Sequence, residues 1–255
     1  MNGIELKSPA FAGMRGAYAA MFTPYGQDGK VNEAMIEKLV EHGLSNGLVG
    51  FYLTGSTGEG LLLSLEERRL VMERAVKAVN GRAKLIAHVG CVATDDAVTL
   101  ARHAAKIGID WVSSVAPVYY GQNFNAAYRH YERISNATDL PFMIYSLKTA
   151  VVPERDVKFF DLPNVKGMKY TGTDYFAVQC LKHKPAARLQ EGWSAYCDGD
   201  VDRVRAAGLR QHSAVAARSR HRACELRVTG FTAYFNSLSP DFRQLVVKRL
   251  VREAV

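Results

Sequence analysis

Paired cysteines, long apolar runs and nucleotide fingerprints are all missing from this 255-residue chain. Its four cysteines, Cys91, Cys180, Cys197 and Cys224, show no paired spacing, which fits reduced thiols rather than a disulfide framework. No stretch approaches the ~18 consecutive apolar residues of a membrane span, so no membrane partner is expected. The first residues lack a basic segment followed by an apolar one, the mark of a secretory signal, and a cytoplasmic setting is expected. Neither GxGxxG nor GxxxxGK[ST] follows an apolar run, which argues against a dinucleotide or P-loop nucleotide site.

Excess charge is missing from most of the chain as well. The formal charge is +8, yet residues 1–182 hold 20 Lys and Arg against 18 Asp and Glu. Residues 183–255 hold 13 against 7. The surplus is therefore local to the last quarter and lacks the interleaved aromatics of a nucleic-acid surface, so no nucleic-acid partner is expected.

What is present is organised around residues 50–67, GFYLTGSTGEGLLLSLEE. An apolar run, 50–53, suits a strand buried on both faces. It breaks into a turn with three glycines and three hydroxyls, Thr54 to Gly60. Ser64 with Glu67 three residues on then reads as a capping box that opens a helix. Strand, Gly-rich turn and helix in that order present backbone N–H groups and short hydroxyls to an anion.

The same rhythm repeats along the chain. Strands are predicted over 16–23, 50–53, 84–89, 111–115, 142–145 and 165–168. Between them, helical periodicity covers 31–44 with Asn32 as cap, 64–79, 94–107, 125–136 and a short stretch at 154–160. Six strand-then-helix units with short connections predict an α/β protein, a (β/α)8 TIM barrel in one domain over 1–255, rather than an open doubly wound sheet. From about Lys182 the rhythm fails. Residues 183–228 are Arg-rich without a clean strand and helix, so they do not assign the last two βα units. Residues 239–255 read as an amphipathic C-terminal helix with Pro240 in its first turn.

Ligands of such barrels bind where the strands end. The residues there are Thr54 to Glu59, Gly90-Cys91, Ala116 to Tyr120, Tyr145-Ser146 and Lys169 to Thr171. They hold no paired carboxylates, no Ser/His/Asp set and no metal cluster, and no metal is expected. A zinc site drawn from Cys197, His212, His221 and Cys224 matches no familiar spacing. Lys169 is either a solvated charge at a strand end or a Schiff-base amine, which requires partial desolvation to free its neutral form. Tyr145 is either a rim tyrosine or a proton-passing phenol facing that amine, and Tyr119-Tyr120 either packing or part of the same relay. His88, His103 and His130 read as structural, and Glu59 as bracing its turn.

Four separated motifs resemble landmarks of the dihydrodipicolinate synthase / N-acetylneuraminate lyase family. They are Gly16-Ala17-Tyr18 with Thr23-Pro24, residues 50–67, Ala116-Pro117-Val118-Tyr119-Tyr120, and Tyr145 through Gly167-Met168-Lys169-Tyr170-Thr171. The likeness spans residues 14–182. It implies a (β/α)8 barrel, a cofactor-free class I aldolase mechanism on a 2-keto acid, and a homotetramer. By resemblance, Lys169 forms an imine with the substrate's C2 ketone. Ser56, Thr57 and Gly58 hold the carboxylate, and Thr171 lines the site. Tyr145 relays the proton of the C4 hydroxyl, oriented by Ser56 and by Tyr119 or Tyr120 from a neighbouring subunit.

Within the family, the synthases carry an arginine shortly after the relay tyrosine, where this chain has Ala150. The runs 143–146, 116–124 and 167–171 resemble the sialic acid lyases instead. That implies cleavage of N-acetylneuraminate to pyruvate and N-acetylmannosamine. The alternatives are an aldolase or dehydratase for another 2-keto-3-deoxy sugar acid, a dihydrodipicolinate synthase-like enzyme, or a catalytically impaired pyruvate-binding relative. Two departures stand out. Lys148 replaces the family's proline, and the lyases' sugar-holding turns after strands seven and eight have no counterpart in 183–228, where Cys197-Asp198-Gly199-Asp200 is only the nearest acidic turn.

Overall fold

A computed structural model of the chain describes residues 16–119, 123–147, 150–171, 174–182 and 226–229. The expected C-terminal helix, the zinc candidates, Tyr120 and Lys148 lie outside these residues.

Six strands and six helices alternate: β1 (Gly16–Ala20), α1 (Glu33–Ser45), β2 (Gly50–Leu53), α2 (Leu65–Val79), β3 (Lys84–His88), α3 (Thr94–Lys106), β4 (Trp111–Val115), α4 (Phe124–Ser135), β5 (Phe142–Ser146), α5 (Pro153–Asp156), β6 (Val165–Tyr170) and α6 (Tyr175–Lys182). A 3-10 turn, Val157–Asp161, continues α5. The pairs among these six strands are all parallel and sequential, in the order β6-β5-β4-β3-β2-β1. Sequential order with right-handed crossovers puts every helix on one side of the sheet. A doubly wound sheet would instead reverse direction at a switch point. The barrel expectation holds across these six units.

The caps follow their residues. Asn32 accepts from the Met35 N–H at the start of α1, and Ser64 with Glu67 completes the capping box of α2. Thr94 does not cap α3, whose N-cap is Ala93 without a side-chain bond. The Thr94 hydroxyl pairs with His130 Nδ1 instead, at 2.9 Å.

Two apolar layers result from strand alternation. Ala19, Phe51, Leu53, Leu85, Ala87, Val112, Phe142, Ile144 and Val165 pack against the helices. The intervening residues Tyr18, Ala20, Tyr52, Ile86, Trp111 and Met143, from five different strands, pack against one another on the other face. Side chains of strands so far apart meet only where the sheet curls, and they form the floor of the barrel interior.

Several findings differ from the sequence reading, the first being that β1 ends at Ala20 rather than at residue 23. The sixth strand runs through Lys169 to Tyr170 rather than stopping at Met168. Of the two strands that 183–228 would have to supply, one is described. It is β7 (Leu226–Thr229), which pairs in parallel with β1 on its free edge, Tyr18 opposite Val228. Among the described residues β6 and β7 do not pair.

Candidate active site

Strand register decides which way the lysine faces. Phe142 pairs with Val165 and both face the helices, but the next pair is Met143 with Gly167, so Lys166 is an extra residue in β6. This bulge shifts the alternation by one. Without it, Lys169 would share the helix-facing side with Val165. With it, Lys169 lies opposite Tyr145 on the interior face. A bulge that re-aims a side chain is a recurrent device beside sites.

Lys169 is buried, with 4% of its surface exposed. That rules out the solvated strand-end reading. Its Nζ lies 3.9 Å from the centroid of the Tyr145 ring and 4.0 Å from that of Tyr52. The two rings meet edge to face, 6.4 Å apart. Aromatic faces attract an ammonium group, more strongly where water is excluded. Tyr52 is fixed by its hydroxyl, which bonds Ser113 Oγ at 2.9 Å. Burial drives its proton affinity well above the usual phenol range, with the Ser113 bond partly offsetting this. Tyr52 therefore stays a neutral phenol.

His88 fills the space behind both tyrosines, with ring centroids 6.1 Å from Tyr52 and 6.0 Å from Tyr145. Its Nδ1 meets the Thr54 carbonyl at 3.1 Å, and the Val115 N–H donates to Nε2 at 3.3 Å. A carbonyl can only accept, so the proton sits on Nδ1. Burial first, then the positive charges of Arg68 and Lys169, hold His88 neutral, its pKa well below 6.5. His88 is thus in a strand, as expected, but it forms part of the wall behind the amine.

Arg68, from the first turn of α2, is buried and reaches the end of β3. Its Nη1 donates to the Gly90 carbonyl at 2.9 Å and to Cys91 Sγ at 3.0 Å, and its Nη2 donates to the His88 carbonyl. Burial pushes the Cys91 thiol up despite that guanidinium, so Cys91 is a poor nucleophile. Thr54 Oγ1 donates to the same His88 carbonyl at 2.9 Å. These bonds hold Thr54 in the left-handed region, φ 51°, at a cost of about 1–2 kcal/mol.

The Gly-rich turn follows from Thr54. It is closed by Gly60 N–H to the Gly55 carbonyl at 3.0 Å and Glu59 N–H to the Ser56 carbonyl at 3.1 Å. Thr23 Oγ1 ties it to the end of β1 by donating to the Gly58 carbonyl at 2.6 Å. A Cβ at Gly60 would stand 1.8 Å from the Thr54 carbonyl oxygen, so only glycine fits. Among the described residues, the N–H groups of Ser56, Thr57 and Gly58 are not used by these closing bonds. Ser56 is exposed and Thr57 half-buried, at the end of the strand that carries Tyr52.

The remaining candidates lie around this cluster. Tyr145 is buried beside Lys169. Thr171 follows β6 and donates its hydroxyl to the Ser146 carbonyl at 3.3 Å, across the same two strand ends. Tyr119 lies on the loop after β4 with 77% of its surface exposed. Ala150 is exposed on the loop after β5. No group of three His, Cys, Asp or Glu residues suited to a metal occurs among the described residues. None of their helices is long and apolar enough to cross a membrane. The sequence reading missed Tyr52, Ser113 and the interior role of His88. Their signal was strand alternation, since His88 and Ser113 lie two residues on from the interior-facing Ile86 and Trp111, and Tyr52 pairs with Ile86.

Comparisons with known proteins fit this geometry. The model of the dihydrodipicolinate synthetase family matches residues 13–221. The N-acetylneuraminate lyase of Rhizobium meliloti is 34% identical over 189 residues, covering 72% of this chain and 63% of that protein. The N-acetylneuraminate lyase of Escherichia coli is 34% identical over 186 residues, covering 71% of this chain and 63% of its own length. The chain thus spans less than two thirds of these relatives. The crystal structure of N-acetylneuraminate lyase from Mycoplasma synoviae superposes with a TM-score of 0.73 at 30% identity, over 89% of this chain and 72% of that one. The chain belongs to the dihydrodipicolinate synthetase family.

Proposed function

We propose that the protein is a class I aldolase that cleaves N-acetylneuraminate to pyruvate and N-acetylmannosamine through an imine on Lys169. The observation that carries this reading is a buried lysine on β6 held between Tyr145 of the neighbouring β5 and Tyr52 of β2 across the barrel interior. The neutral amine adds to the substrate's C2 ketone. One proton is taken up and water leaves, giving a protonated imine. Breaking the C3–C4 bond sends its electron pair into the imine, leaving an enamine, while the C4 hydroxyl proton is relayed by Tyr145, which gives up its own proton as it accepts this one, and ends on C3 as the aldehyde forms. This protonation at C3 and hydrolysis then release pyruvate and the free lysine.

Ser56, Thr57 and Gly58 supply N–H groups and hydroxyls for the carboxylate, and Thr171 lines the opposite side. Ala150 in place of an arginine favours a polyol over a second carboxylate. The exposed Tyr119 suits a contribution to a neighbouring copy's site in a homotetramer, and the protein would act in the cytoplasm. The test is pyruvate release measured with N-acetylneuraminate and with other 2-keto-3-deoxy sugar acids. Preferential release from N-acetylneuraminate is expected, and preference for another sugar acid would reassign the substrate.

One observation favours a second reading, a pyruvate-binding relative without turnover: the sequence of residues 183–228 carries no counterpart of the turns that hold the sugar in the lyases the chain resembles. That reading expects adduct formation on Lys169 with no carbon–carbon cleavage in the same assay.

A further inference from the structure

Lys169 Nζ contacts two aromatic faces, and only one of them belongs to the proton relay. The other, Tyr52, has its hydroxyl directed to Ser113 Oγ at 2.9 Å. The ring is buried and packed against His88 at 6.1 Å. Its neighbours on the interior face are Tyr18, Ala20, Ile86, Trp111 and Met143, so the ring has no room to turn aside. What it presents to the amine is its π face, 4.0 Å from Nζ.

We infer that Tyr52 is a positioning residue for the reacting nitrogen: anchored by Ser113, its ring forms one wall of an aromatic clamp, with Tyr145 as the other. The clamp serves Lys169 as a cation in two states. Before condensation the nitrogen is an ammonium in equilibrium with the amine. After condensation it is a protonated imine in the same place, still positive and still between the rings. Cation–π attraction persists through both, and the carbonyl carbon of an incoming ketone is met by a nitrogen of fixed position. Fixed geometry of this kind accelerates a bimolecular addition. The inference rests on the imine reading of Lys169.

The experiment uses the full chain and follows the rate of borohydride-trapped pyruvate adduct, with thermal melting as a check on folding. Tyr52→Leu removes the face and should slow trapping about 30-fold or more. Tyr52→Phe keeps the face and loses only the anchor, and should restore most of the rate, leaving a two- to fivefold deficit. Ser113→Ala should match that deficit, and the Tyr52→Phe/Ser113→Ala double variant should be no slower than either single, because both remove one hydrogen bond. If Tyr52→Leu does not fold, the anchor cycle still decides. Losses that multiply in the double variant, or no loss in either single, would overturn the inference, as would wild-type trapping rates in a folded Tyr52→Leu. Absence of adduct in the wild-type chain would overturn the imine reading itself, a separate outcome.

Discussion

Among the described residues, Lys169 differs from the other lysines in its surroundings, being the buried one. Burial removes the water that stabilises an ammonium, while two phenol rings return part of that stabilisation. His88, fixed as the Nδ1–H tautomer and held neutral, adds no second charge beside it. The division of labour between the tyrosines makes a prediction. Tyr145→Phe should leave imine formation with pyruvate intact while lowering carbon–carbon cleavage by ~10²–10⁴-fold, the usual contribution of a positioned general acid–base group. Single-turnover trapping and steady-state pyruvate release measure the two separately. Equal losses in both would show that Tyr145 acts only by shaping the site.

At the scale of elements, the site depends on how strands and turns are joined. One inserted residue in β6 sets the facing of Lys169. Deleting Lys166 should remove the bulge yet keep Gly167 opposite Met143 and Lys169 opposite Tyr145, so pyruvate trapping should survive. Deleting Met168 should instead bring Lys169 opposite Ile144, toward the helix layer, abolishing trapping and lowering the melting temperature. Lys166→Ala should leave trapping unchanged, since that side chain is exposed and donates only to the nearby Pro163 carbonyl. Trapping by the Met168 deletion variant at the wild-type rate would contradict the register argument. The Gly-rich turn is shaped in the same indirect way. Arg68 and Thr54 converge on the His88 carbonyl, so α2, β2 and β3 are locked together behind the turn before any ligand arrives.

At the scale of the molecule, six βα units lie where the apolar runs and helical periods placed them, because those units bury apolar residues on both strand faces and one helix stripe. Capping residues were legible for the same local reason. What one residue does to register was not, since a bulge leaves no mark in a run such as Val165-Lys166-Gly167-Met168-Lys169. Nor was it legible that Tyr52, inside an apolar run, would meet Lys169 across a curled sheet. The Arg-rich stretch after Lys182 leads into β7 beside β1; Leu226-Arg227-Val228-Thr229 alternates apolar and polar residues, but nothing in that run names β1 as its partner.

Buried histidines give the whole fold a pH dependence. Burial lowers His130 from 6.5 to about 4, and lowers His88 as well. Their neutral forms are favoured in the folded state, so the unfolded chain binds more protons below its own pKa near 6.5. The contribution is fully present above that value and is lost as pH falls toward 4. Each proton is worth about 1.4 kcal/mol per pH unit. Chemical denaturation between pH 7 and pH 4.5 should show falling stability, and His130→Gln should flatten the slope by up to one proton. An unchanged slope would place the dependence elsewhere.

The central claim, that Lys169 is the imine-forming amine, is tested most directly by borohydride reduction in the presence of pyruvate, followed by peptide mass mapping. One adduct on the peptide containing Lys169, absent in Lys169→Ala, is the predicted result. No adduct, or one that maps to another lysine, would contradict it.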